Sequence, residues 1–135
     1  MSFRYCFTFS AVEMSVRYGD STTNDDIINC YVHMGLERAK GLTNIVAVRN
    51  AHMRVLNTLI ETMCDHCLSR VWRKQCYRYI KRLMPLLYEM LDPQRYQQKT
   101  QEIQTLYTFY FEEHQNSKQR HNSQHSPLSS IKKQP

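Results

Sequence analysis

The residue types best suited to chemistry are concentrated in one segment, TMCDHCLSRVWRKQCYRYIKR. Cys64 and Cys67 have the C-x2-C spacing of a zinc half-site, and His66 and Cys76 could supply two further ligands. Structural zinc sites commonly use two such pairs separated by a loop, and the second pair is missing here. Buried thiols are therefore the default interpretation, and a small zinc-binding protein is a minor alternative.

Catalysis finds little support in the same segment. A cysteine nucleophile beside His66 would need an orienting group and an oxyanion hole built from turns. The chain has no G-x-S-x-G elbow, no phosphate-binding glycine loop and no H-E-x-x-H motif. We expect a protein that is not an enzyme and that uses no cofactor, with zinc as the minor alternative above.

The second half of the segment is strongly basic and has helical periodicity. On a helical wheel, one side carries the cations Arg70, Arg73, Lys74, Arg78, Lys81 and Arg82. The apolar positions that recur at helical spacing are Val71, Trp72, Cys76, Tyr79, Ile80 and Leu83. Tyr77 falls among the basic positions, where it could stack on an unpaired base. This pattern predicts a nucleic-acid surface, although any amphipathic surface helix also has a charged side.

A second candidate surface is aromatic. The stretch LYTFYFEEH spreads its rings around most of a helix, and the candidate interface residues are Tyr107, Phe109 and Phe111. Aromatic residues, Met and Arg are enriched where protein surfaces meet. The pattern predicts a protein partner, or self-association into a homodimer, unless this helix is simply the centre of the bundle.

Composition limits the class of protein. The chain has 135 residues, 18 Lys and Arg against 12 Asp and Glu, and a net charge of +6. This length suits one domain, and the excess of basic residues favours acidic partners. Five cysteines and the lack of a secretory pattern indicate free thiols in a reducing compartment, the cytoplasm or nucleus, rather than secretion. No apolar run is long enough to span a membrane.

The elements that must position these residues are mostly helical. Phe3, Tyr5, Phe7 and Phe9 alternate with polar residues and predict a β element over residues 3–18, with a bulge near Ser10. Apolar spacing then predicts successive helices, with a stop at Gly41, a bend over 64–69, a kink or new start at Pro85, and a last helix opened by Asp92 and Pro93 and ending near His114.

The sequence thus predicts a mostly α (α+β) fold: one domain over residues 1–114 with four or five helices and an N-terminal strand or hairpin. Residues 115–135 are poor in apolar side chains and predict a disordered basic tail. The leading functional hypothesis is a non-enzymatic regulatory or accessory protein that acts through protein–protein interaction. The alternative is an RNA- or DNA-binding regulator that uses the basic helix 70–82.

Overall fold

Five α-helices and a terminal π-helical segment make up the computed structural model, which describes residues 2–19 and 26–113. The helices are α1 (Ser2–Tyr18), α2 (Asp26–Lys40), α3 (Ile45–Met63), α4 (Arg70–Leu87) and α5 (Pro93–Tyr107), and the π-helical segment is Thr108–Glu113. No strand occurs in the described ranges. The mostly helical prediction is confirmed, and the predicted tail over 115–135 lies outside the described residues.

The prediction of a β element over residues 3–18 is wrong, because these residues belong to α1. Phe9, Val12 and Val16 lie on one face of α1 at spacings of three and four, and Phe9 and Val16 are buried. The apolar residues occupy odd positions up to Phe9 and even positions from Val12 onward. A strand would need a bulge near Ser10 to accommodate this shift, whereas the 3.6-residue period of a helix produces it directly. No glycine or proline interrupts the segment, so nothing in it opposes a helix.

The end of α1 depends on a left-handed residue. Gly19 has φ of +60°, and its amide donates to the carbonyl of Val16 at 3.2 Å. Glycine adopts this conformation without the steric cost that a Cβ brings. A Cβ here would also approach the side chain of Leu68 at 2.8 Å, so the site is restricted in both conformation and space.

The other helix boundaries follow the predicted signals. Helix α2 ends one residue before Gly41, and the long apolar stretch is divided by a break between Met63 and Arg70. Asn44, Ser69 and Asp92 cap α3, α4 and α5, each accepting a hydrogen bond from a backbone amide in the first turn. Pro93 occupies the first position of α5, where its missing N–H costs nothing.

Pro85 does not start a new helix. It lies inside the last turn of α4, which continues only to Leu87. Proline removes one intrahelical donor, and the chain then tightens, with the Tyr88 amide donating to the carbonyl of Pro85 at 3.3 Å. The predicted kink or new helix start at Pro85 is therefore observed as the end of α4 at Leu87, which a short turn connects to Asp92.

The hydrophobic core lies between α1, α2, α3 and α4. Its largest fully buried side chains include Tyr31, Phe9, Phe111, Ile28, Leu56, Leu59, Met63 and Ile80. Helices α2 and α3 approach closely at Gly35, where a Cβ would collide with a methyl group of Val55. Helix α5 is attached differently, since Ile103 is its only buried residue. Its position therefore depends on the aromatic side chains that follow it.

One polar cluster ties α1 to α2 and α3. The Arg54 guanidinium donates to both carboxylate oxygens of Glu13, at 2.7 and 2.9 Å, and the Tyr31 hydroxyl donates to the same carboxylate at 2.5 Å. Burial raises the pKa of Glu13, but these hydrogen bonds outweigh it and leave the pKa below its ordinary value. The acid is thus held ionised and fully partnered.

Candidate nucleic-acid interface

Helix α4 presents one buried and one exposed face. Its buried side chains are Arg73, Cys76, Ile80, Leu83, Met84 and Leu87, which pack on the core. The opposite face exposes five cations, Arg70, Lys74, Arg78, Lys81 and Arg82, together with Val71. There is no acidic residue anywhere in α4. We call these five side chains the α4 basic face.

The α4 basic face gathers several cations on one helix without counter-charges among the described residues. Elsewhere, four basic side chains pair with acids: Arg17 with Asp65 and Glu61, Lys40 with Glu37, Arg54 with Glu13, and Lys99 with Glu102. Arg38, Arg49 and Arg95 have no ion pair among the described residues, but they lie on three different helices. Within residues 2–19 and 26–113, none of the five cations of the α4 basic face takes part in an ion pair. Their charge is available to an external anion.

The cations also repel one another. Arg70, Lys74, Arg78 and Arg82 follow each other at i, i+4 spacing, which makes them neighbours on the helix surface. Each like-charge pair of this kind destabilises a helix by roughly 0.2–0.5 kcal/mol. Helix α4 is stable in spite of this row because its opposite face is deeply buried. An anion that bridges the row would remove the repulsion.

Arg73 is the exception among the predicted cations. It is only 5% exposed, and its Nε donates to the Met63 carbonyl at 2.8 Å. Its guanidinium lies 4.8 Å from the ring centre of Phe111, and its Nη2 is buried without a hydrogen-bond partner among the described residues. Burial lowers the pKa of Arg73. The prediction that Arg73 faces outward with the other cations is therefore wrong.

Tyr77 is not available as a stacking platform. Its ring stacks on that of Tyr107 at 3.9 Å between centres, and the Lys81 ammonium lies 4.8 Å from its centre. Burial raises the pKa of the Tyr77 phenol, and the negative charge of Glu112 adds to this. The predicted role of Tyr77 in stacking on a base conflicts with this geometry, because the ring already has partners within the chain.

The predicted interface residues of the last helix mostly face inward. Phe111 is 1% exposed, and Tyr107 stacks between Tyr77 and Phe111 while its hydroxyl accepts a hydrogen bond from Lys74 at 2.7 Å. Only Phe109, at 55% exposure, presents its ring to solvent. Tyr107 and Phe111 therefore attach the C-terminal segment to α4 and do not form a common exposed surface.

The candidate metal ligands are not brought together. Cys76 is buried in the core, where burial raises the pKa of its thiol to about 12. Cys64 is half-buried, also with a raised pKa, whereas Cys67 is exposed and His66 contacts the ring of Tyr110. Across residues 2–19 and 26–113, no group of three or more His, Cys, Asp or Glu side chains is placed to hold a metal ion.

Sequence reasoning missed one part of the surface. Val71 belongs to the predicted apolar stripe, but it is 69% exposed and lies among the cations. With Gln75 and the cations Arg70, Lys74 and Arg78 it lines a depression of about 280 Å³. The wheel does contain the signal, since Val71 lies beside Arg78 and opposite Ile80 and Cys76. Val71 was assigned to the apolar stripe by its spacing along the sequence alone. Its angular position on the helical wheel places it on the basic side instead.

The chain was compared with protein-family models, with curated proteins and with solved structures, and none of them matches it. None of the helices in the described part is both long enough and apolar enough to cross a membrane.

Proposed function

We propose that the protein is a non-enzymatic regulatory or accessory protein that binds nucleic acid through the α4 basic face. The observation that carries this proposal is the α4 basic face, five exposed cations on an acid-free helix that have no ion pair among the described residues. Nucleic-acid affinity comes largely from neutralised phosphates and the counterions that they release. A rigid helix whose cations form no ion pair within the described part of the chain is suited to that role.

The burial of α4 supports the same proposal. Six side chains anchor one face in the core, so the exposed face keeps its orientation when its charges change. Surface substitutions away from buried features usually alter stability by less than about 0.5 kcal/mol. Binding and folding can therefore be tested separately on this helix.

The test is a double charge reversal on the row. Arg78→Glu with Arg82→Glu turns the repulsion between positions 74 and 78 into attraction and leaves a like-charge pair at positions 78 and 82, as in the wild type, so the helix should be preserved. Binding of a labelled nucleic acid is measured by fluorescence anisotropy from about 50 to 200 mM salt. We expect a loss of affinity of more than about tenfold and a salt slope reduced by about two charges.

The matched control reverses two cations outside α4. Lys40→Glu with Arg49→Glu changes the net charge by the same amount, on α2 and α3. The control should retain most of the affinity. Equal losses in both doubles would indicate a general charge effect and would overturn the proposal, as would wild-type protein that binds anionic phospholipid vesicles but no nucleic acid.

Protein–protein interaction is the second candidate function, and a different surface favours it. Leu42, Ile45 and Val46 are 42%, 69% and 45% exposed at the junction of α2 and α3. Three large apolar side chains exposed within five positions are typical of a protein contact. The test is light scattering of the purified chain over a range of concentrations. Association that Ile45→Lys abolishes would support this function, and a monomer at all concentrations would count against self-association.

A further inference from the structure

The shape and surroundings of the α4 basic face narrow the class of nucleic acid. From Arg70 to Arg82 the helix rises about 18 Å, and the row drifts around the axis by about 120°. Apart from the depression beside Val71, the cations thus lie along a broad helix face and not in an extended groove. Single strands are usually held in grooves, whereas the major groove of B-form DNA, about 12 Å wide, admits an α-helix.

The aromatic rings beside the cations point to the same class. Binding of single strands relies on aromatic rings on which successive bases stack. Of the described rings that border the row, Tyr77 and Tyr107 stack on each other, and Phe111 is buried. The Tyr79 ring is half-buried, and the Arg82 guanidinium lies 5.0 Å from its centre. The Trp72 indole is half-buried, and its N–H donates to the Val16 carbonyl at 3.0 Å.

Tyr88, just beyond the end of α4, is the notable exposed ring, at 63% exposure. The Tyr96 ring is perpendicular to it, with 5.1 Å between the two centres. A single exposed ring at the end of the row cannot stack on several successive bases of a single strand. Tyr88 does, however, provide a direct test of whether stacking contributes to binding.

We propose that the ligand of the α4 basic face is B-form duplex DNA, with α4 lying along the major groove and its cations contacting phosphates on both sides. This rests on the proposed function above and specifies its partner. The 120° spread places Arg70 and Lys81 toward one edge of the helix and Arg82 toward the other, as contacts to two phosphate strands require. A-form RNA has a deep, narrow major groove that does not accept the helix.

The experiment compares three labelled probes of one sequence: duplex DNA, duplex RNA and single-stranded DNA. Each is titrated with wild-type protein, with the double variant Arg78→Glu and Arg82→Glu, and with Tyr88→Ala. We expect duplex DNA to bind at least about tenfold more tightly than either other probe. The double variant should lose that binding, and Tyr88→Ala should leave it unchanged.

Two results would overturn this inference while the proposed function stands. In one, all three probes bind with similar affinity and the double variant loses all of them. In the other, single-stranded DNA binds best and Tyr88→Ala weakens it. If no probe binds, or the double variant binds like wild type, the proposed function itself fails. The two failures are therefore distinguishable within one set of titrations.

Discussion

On the α1–α3 side of the molecule, Arg54 forms a bidentate pair with Glu13. On the α4 side, Arg73 is buried against the Met63 carbonyl and the ring of Phe111, and no carboxylate of residues 2–19 or 26–112 pairs with it. The first arrangement fixes three helices through a satisfied charge pair. The second uses aromatic rings and a backbone carbonyl to hold a cation. Acids are thus used where they stabilise the fold and are absent from α4, where a net positive surface results.

The largest expected effect concerns the aromatic attachment on the α4 side. Phe111→Ala removes a ring that is 1% exposed and contacts three cationic side chains, so it should destabilise the protein by about 3 kcal/mol. Urea denaturation followed by circular dichroism measures this. Phe109→Ala, at an exposed position, is the matched control and should cost less than about 0.5 kcal/mol. Similar losses in both variants would contradict the inward role of Phe111.

The acid on the other side should have the next largest effect. Glu13→Ala leaves Arg54 without its carboxylate and Tyr31 without its acceptor, at a cost of about 2 kcal/mol. The control is Glu102→Ala, which breaks the i, i+3 pair with Lys99 at an acid that is more exposed than Glu13 and should cost less than about 0.5 kcal/mol. If the two variants lost equal stability, Glu13 would be no more than an ordinary surface acid.

A smaller, pH-dependent effect follows from the same carboxylate. The pKa of Glu13 in the folded protein lies below its ordinary value of 4.5, so its contribution to stability is fully present above that pH and is lost as pH falls through the lower, folded pKa. Glu13→Gln should remove this part of the dependence. The difference in unfolding free energy between wild type and variant, measured from neutral pH to about pH 3, should therefore shrink as pH falls. A constant difference would contradict the assigned pKa.

The smallest effect is expected at Arg73. Arg73→Met retains most of the buried aliphatic stem and removes a charge whose Nη2 has no partner among the described residues. The relief of the desolvation cost of this charge should offset the loss of its hydrogen bond to the Met63 carbonyl, so stability should change by less than about 1 kcal/mol. Arg54→Met should cost about 2 kcal/mol, because it leaves Glu13 unpaired. The free energy of unfolding of both variants is measured by thermal or urea denaturation. Equal losses of stability would contradict the different roles assigned to Arg73 and Arg54.

The local signals in the sequence predicted most of the helix boundaries. Asp92 with Pro93, and Gly41 after α2, act through the backbone within a few residues, so their effect can be read without a tertiary structure. The alternating aromatics before Ser10 were misleading because a few residues at period-two spacing are also compatible with a helix, here one that buries Phe9 and Val16. The packing of Val16 against other helices decides between the two, and the local pattern does not contain it.

The candidate site was predictable in its charge but not in its detail. The acid-free row on α4 is evident from a helical wheel. Arg73 and Tyr77 lie at the edge of the basic sector of the wheel. Arg73 packs against Phe111 and Tyr77 stacks on Tyr107, and both of these rings are more than 25 positions away in the sequence. Contacts at that separation depend on how the chain folds back, so a wheel drawn for one helix cannot exclude these two residues.

The single buried residue of α5 has a consequence for hydrogen exchange. A helix anchored by Ile103 and by the rings of Tyr107 and Phe111 can open while the packing of α2 on α3 persists. Amide protons of α5 should therefore exchange in a sub-global opening, faster than those around Leu56 and Leu59 in α3, which are fully buried. That opening would expose Arg73 to water, so the C-terminal segment acts as a cover over an otherwise unpaired cation.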